Sequence, residues 1–248
     1  MITAFRTSLM TALLMLAMTP AFAVTLNELD LDHPGDHGTI NGAIFYREDP
    51  NPTGTGNINS FLRIQSNTGT EQGYNTDGTP RQFDEKGGNF THSLLLSKVG
   101  KVSFDGGTTW YREFMLDVAE SDNQLILTDL KIYLEPVGDL LGWPDTFGTA
   151  LYDLDTATID SQVNLTAAPG NGRGDMYVYI PDALFTNSTN NPYVYLYSRF
   201  TQCDGSFEEW STQETDGDDP PTVPEPMSLS LLGLGLGLGA LIRRRMTR

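Results

Sequence analysis

The run Tyr193–Thr201, YVYLYSRFT, places aromatic, aliphatic and β-branched side chains at consecutive positions, so as an extended segment it presents apolar surface on both faces. Such a strand is stable only when both faces are covered, which puts it inside a layered β-structure. Residues 175–180, DMYVYI, make the same demand more weakly. Around these two runs the chain is a succession of short strand signals separated by Gly, Pro, Asn and Asp, with almost no helical periodicity. They fall at residues 42–48, 61–65, 93–104, 109–118, 125–134, 150–154 and 207–211. In YREFMLDV, Phe114, Leu116 and Val118 alternate with Glu113, Met115 and Asp117, the period of a half-buried strand. Asp105-Gly106-Gly107 between two such runs predicts a hairpin. Residues 49–59 and 66–80 read as polar loops, and residues 182–185 as one helical turn. The pattern predicts an all-β fold, an antiparallel two-sheet β-sandwich that is jelly-roll-like.

Between residues 24 and 222 the chain holds 31 acidic and 10 basic side chains. That field repels nucleic acid and anionic lipid and keeps a domain soluble. Cys203 is the only cysteine, so no internal disulfide supports the fold, and stability rests on one core that about two hundred residues can build. The opening stretch, residues 27–41, reads as a polar leader or a first edge strand. His33 and His37 have the i, i+4 spacing of a helical metal pair, but Pro34 and Gly35 between them oppose the helix.

No catalytic constellation is legible. Only His92 lies inside the folded region for a Ser-His-Asp reading, and no G-x-S-x-G elbow, paired cysteines, H-E-x-x-H helix or P-loop is present. Glu208 and Glu209, beside Trp210, are the candidate acid and base, set against the plainer reading of an edge strand with one outward acid. The expectation is therefore a protein that is not an enzyme. Oxygen ligands for a structural Ca²⁺ are offered by Asp84, Glu85, Asp153, Asp155 and Asp175 on loops and strand ends. If Leu154 points into the core, Asp153 and Asp155 face outward together. Aromatic rings that could stack on sugar faces are Tyr74, Trp110, Trp143 and Tyr152.

The two ends carry sorting signals. Residues 1–23 combine Arg6, an apolar stretch and Ala21-Phe22-Ala23, the pattern of a signal peptide. At the other end Val223, Pro224, Glu225 and Pro226 precede an uncharged apolar run over residues 227–242, which as a helix measures ~24 Å, and then Arg243, Arg244 and Arg245. The arginines place the C-terminus in the cytoplasm and stop the transmembrane helix there. At these residues the chain resembles the PEP-CTERM sorting signal of Gram-negative envelope proteins, and most of residues 40–210 resembles the ectodomain of a recurrent group carrying that signal.

The resemblance implies export across the inner membrane, an exosortase as transient partner, and membrane contact through the C-terminal helix before processing. It also implies a place at the cell surface, in the envelope or in an exopolysaccharide (biofilm) matrix, and it supplies no catalytic residue. The expected organisation is a signal peptide (1–23), a β-sandwich ectodomain (24–211), an acidic Gly/Pro linker (212–222) and the sorting signal (223–248). The expected function is that of an exported envelope or matrix protein with a non-enzymatic binding or structural domain and polysaccharide as partner. The alternative is a secreted carbohydrate-active enzyme, glycoside hydrolase-like, on a jelly-roll fold.

Overall fold

The computed structural model describes residues 24–47, 59–119, 124–166 and 174–213, so the signal peptide and the sorting signal lie outside the described residues. The strands are β1 (Thr25–Leu31), β2 (His37–Ile40), β3 (Ala43–Arg47), β4 (Leu62–Ile64), β5 (Thr70–Tyr74), β6 (Leu94–Leu95), β7 (Lys101–Val102), β8 (Tyr111–Val118), β9 (Gln124–Glu135), β10 (Tyr152–Asp153), β11 (Ile159–Thr166), β12 (Met176–Pro181), β13 (Tyr193–Thr201) and β14 (Glu208–Ser211). Among the described residues helix is confined to three 3₁₀ turns, Gly88–Phe90, Leu96–Lys98 and Asp182–Leu184, and none is long and apolar enough to cross a membrane.

The strands form two seven-stranded sheets. The first runs β1-β11-β9-β13-β5, with β10 on β9 and β6 on β13; the second runs β2-β3-β12-β8-β14-β4, with β7 on β8. The fold is thus all-β with two sheets, as expected. Pairing is antiparallel except between β1 and β11, which run parallel. Phe114, Leu116, Ile64 and Trp210 from the second sheet meet Leu127, Ile132, Leu196 and Phe200 from the first in a single buried cluster, so the sheets pack face to face.

β13 lies between β9 and β5 and has the two covered faces its sequence demands. Val194, Leu196 and Phe200 enter the main core. Tyr195 and Tyr197 point the other way, into a second cluster with Tyr74 and Tyr133 that Leu140, Trp143 and Phe147 cap from outside. The cap is pinned by Tyr195, whose hydroxyl accepts from the Leu140 amide at 3.0 Å and donates to the Val137 carbonyl at 2.8 Å.

Several expectations need correction. β5 crosses the stretch read as a polar loop, because Glu71 and Gly73 face inward there and break the apolar signal. β11, IDSQVNLT, buries Val163 and Leu165 but hides its period behind Ser161. Residues 93–104 are not one strand: a 3₁₀ turn separates β6 from β7. β14 is not an edge strand, since it lies between β8 and β4 and all four residues are buried. β8 buries not only Phe114, Leu116 and Val118 but also Glu113 and Asp117 on its other face, where Tyr179 and Tyr177 of β12 are the neighbours of Glu113 and Met115. The hairpin between β7 and β8 forms as predicted: the Asp105 carboxylate accepts from the Thr108 and Thr109 amides, and these bonds hold its pKa down at about 2.

Candidate functional site

Strand β9 organises the outer face of the first sheet. Leu125 and Leu127 face the core, as do Leu130, Ile132 and Leu134, so the period-two pattern slips by one residue in between. The slip is a β-bulge against β13 at Arg199/Phe200. It turns Asp129 outward in phase with Lys131 and Tyr133, as bulges beside functional sites do.

At the bulge three carboxylates converge. Candidate ligand oxygens of Asp129, Asp153 and Asp155 all lie within 4.8 Å of one another. Leu154 is fully buried, so Asp153 and Asp155 do face outward together. The Lys131 ammonium sits among the acids, donating to both Asp153 oxygens at 2.7 Å and lying 3.3 Å from Asp129 Oδ1. Burial raises the Asp129 pKa to about 6 although Lys131 opposes the shift. Burial also raises that of Asp155, against the hydrogen bond from the Ser161 amide. The chain therefore supplies its own cation here: a metal would have to displace Lys131, and an acid meeting a substrate would first have to leave it.

Upstream along β9 the face becomes a polar groove. β1 and β11 are in parallel register, which brings side chains 134 positions apart into contact. Gln162 Nε2 donates to Glu28 at 2.9 Å, Asn164 Nδ2 to Asp30 at 2.7 Å and the Thr166 hydroxyl to Asp32 at 2.9 Å. These pairs repeat every second residue, ~6.6 Å apart, and with Gln124 of β9 they line a groove of about 330 Å³. Downstream of the bulge lies the aromatic cap. Trp143 is half-buried, stacked on Tyr197 at 3.8 Å and 13°, and its Nε1 donates to the Tyr133 hydroxyl at 3.2 Å. Groove, acid cluster and aromatic cap thus follow one another along a single strand ~36 Å long.

The residues singled out from sequence fall in different places. Asp84 accepts from the Gln72 amide at 3.0 Å, Glu85 from the Tyr74 and Phe83 amides, and Asp175 from the Val118 amide at 2.8 Å. The five proposed calcium ligands therefore form no common site, and only Asp153 and Asp155 meet, with Asp129 as a third member. Tyr74 and Tyr152 are interior residues, 0% and 3% exposed, because their rings fill the aromatic cluster and the main core; they present no face to a ligand. Trp110 and Trp143 are half-buried. Glu208 and Glu209 point to opposite faces of the second sheet: Glu209 is paired with Arg63 at 2.6 Å, and Glu208 enters the core. Val223–Pro226 and Arg243–Arg245 lie outside the described residues.

Asp129 was missed, though the slip of phase in LILTDLKIYL signals it. The ladder of β1 and β11 leaves no local signal, since its register joins segments 134 residues apart. Compared with known proteins, the chain matches no family, no curated protein and no solved structure.

Proposed function

We propose that the chain is an exported cell-envelope or exopolysaccharide-matrix protein, and that its jelly-roll-like β-domain binds an extended polysaccharide without catalysis. The observation that carries this reading is the groove along β1 and β11, where carboxylate acceptors are paired with amide and hydroxyl groups. Sugar hydroxyls both donate and accept, so a row of such pairs matches them where a run of like charges would not. The groove opens along the strand that leads to Trp143, a half-buried indole of the ring type on which the apolar faces of pyranose rings stack. Lys131 supports a binding role over hydrolysis, because it neutralises Asp153 beside the acid with the raised pKa.

A glycan array probed with the exported protein tests the reading. We expect binding to neutral polysaccharide, weakened about tenfold or more by the double substitution Asp30→Ala, Asn164→Ala, a loss of ~1.4 kcal/mol or greater. Binding that is unchanged in this variant would count against the groove.

The sorting signal is tested separately. Cutting near residues 224–227 frees the acidic domain from the membrane, and replacing Arg243, Arg244 and Arg245 by Glu leaves the protein uncut or misrouted. Mass spectrometry of the C-terminus in a host with an active exosortase decides the matter: an exported protein that still carries residues 231–248 is a tail-anchored protein and no exosortase substrate.

A further inference from the structure

The groove on β1 and β11 spends its donors on itself. Gln162 carries two amide hydrogens, and its Nε2 donates to Glu28 Oε1 at 2.9 Å and to Asn164 Oδ1 at 3.0 Å, which uses both. Asn164 Nδ2 gives one hydrogen to Asp30, and the single hydroxyl hydrogen of Thr166 goes to Asp32. Among the described residues this row keeps one N–H, on Asn164, for a ligand. Acceptors are left in excess, because a carboxylate has about four lone-pair sites and Glu28, Asp30 and Asp32 each take one of these side-chain bonds.

The charge is left in place as well. Glu28, Asp30 and Asp32 are exposed and stand on one side of the chain, and their partners are two amides and a hydroxyl, all neutral. Among the described residues no Lys, Arg or His lines the groove. Exposed Asp160, two residues before Gln162 on the same side of β11, extends the acidic row. Arg47 bonds the Leu31 and Asp32 carbonyls and so offsets charge at the Asp32 end alone. Lys131 is committed to Asp153 beside the bulge of β9, and exposed Arg199 stands on β13, two strands from β11. The chain thus neutralises the acids at its bulge and leaves those in the groove without a cation of their own.

What fits an acceptor-rich, anionic track is a ligand made of cationic donors. A hydroxyl brings one donor together with lone pairs that oppose those of a carboxylate, whereas an ammonium brings three donors and no acceptor. Its bonds to carboxylates are also roughly twice as strong as neutral ones. An amine fixed on a sugar ring has no flexible stem to be ordered, unlike a lysine ammonium. A basic peptide strand would pair along the open edge of β1, in the plane of the sheet, while these acids project from its face. We propose that the groove takes an amino-sugar polysaccharide with free ammonium groups, held by Glu28, Asp30 and Asp32, an inference that rests on the groove being a polysaccharide site.

Two β-linked oligomers of one length supply the test: glucosamine, whose amines are charged, and N-acetylglucosamine, whose nitrogens are capped. Calorimetric titration of the purified protein at about pH 5.5, where amines and ordinary carboxylates are both charged, is expected to give a Kd about tenfold or more lower for the glucosamine oligomer. That preference should shrink as NaCl rises from ~0.05 to ~0.5 M, because salt screens exposed charges, while binding of the acetylated oligomer holds. The double substitution Glu28→Gln, Asp30→Asn keeps the shape and an acceptor oxygen at each position and removes both charges. It should abolish the preference and leave the acetylated oligomer bound. Asp139→Asn, which removes an exposed charge beyond the far end of β9, should leave the preference intact. Equal or tighter binding of the acetylated oligomer overturns the proposal and leaves the polysaccharide reading standing; binding of neither oligomer removes both. The proposal is also overturned if the preference survives the double substitution, or if a lysine oligomer of the same length binds more tightly than glucosamine through the same two acids.

Discussion

Replacing Trp210 by Ala lowers the stability of the β-domain by about 3–5 kcal/mol, the range for deleting a fully buried large aromatic side chain. Trp210 is 0% exposed and stands between Leu62 and Leu116 on the second sheet. Its Nε1 crosses the interior to donate to the Ser198 hydroxyl on the first sheet at 3.0 Å. The substitution therefore removes the packing between the sheets, opens a cavity against Phe200 and leaves a buried hydroxyl without its donor. Trp210→Phe keeps most of the volume and loses the hydrogen bond, so its cost is about 1–2 kcal/mol. Total stability of a domain this size is on the order of 5–15 kcal/mol, so the Ala variant loses a fifth or more of it. Urea denaturation of the three proteins checks the order; an Ala variant within 1 kcal/mol of wild type would refute the view that Trp210 joins the sheets.

The domain is expected to be less stable at pH 8 than at pH 5. Burial, only partly offset by the Ser66 amide and further raised by Asp84, pushes the Glu71 pKa up to about 7 from an ordinary 4.5. Between those values the folded chain keeps a proton that the unfolded chain has released, so stability is full below pH 4.5 and is lost as pH rises through about 7. The shift corresponds to roughly 3 kcal/mol. Asp129, raised to about 6, acts in the same direction. On the acid side the opposite sign holds for Asp182. Against its burial, Lys101 and Arg112 keep that carboxyl below its ordinary 3.8, so its contribution is present above that value and is lost as pH falls further. The midpoint in urea, followed from pH 2 to pH 8, should therefore peak near pH 4. Glu71→Gln should flatten the alkaline limb, and a limb that rises towards pH 8 would contradict the raised pKa of the buried Glu71.

What was legible in the sequence was local. The alternation in YREFMLDV and the two-faced apolar run of β13 needed no partner to be read, and both strands lie where their patterns put them. The inference about Leu154 located two of the three acids of the cluster. What could not be read depends on register. Glu71 and Glu208 look like surface residues because nothing beside them in sequence tells that Phe200 and Ile64 will stand opposite. Tyr74 and Tyr152 look like sugar platforms because the segment that hides Tyr74 is a loop without periodicity, and because Tyr152 is held inside by a bond from its hydroxyl to the Ile40 carbonyl at 3.1 Å. Asp129 lies between these cases: its signal is in the sequence as a slipped period, but the slip identifies a bulge only once β13 is known to run beside it.

The parallel register of β1 and β11 has a kinetic side. Residues 25–31 are made early, yet the strand that accepts them, residues 159–166, emerges more than a hundred residues later, and that strand in turn docks on β9. Until then the first strand has no ladder to join. β4 and β5 likewise await β14 and β13. A topology dominated by such distant pairings closes late and slowly. The growing chain therefore stays open long after β1 has appeared, and its two sheets close only when the late strands β11, β13 and β14 arrive.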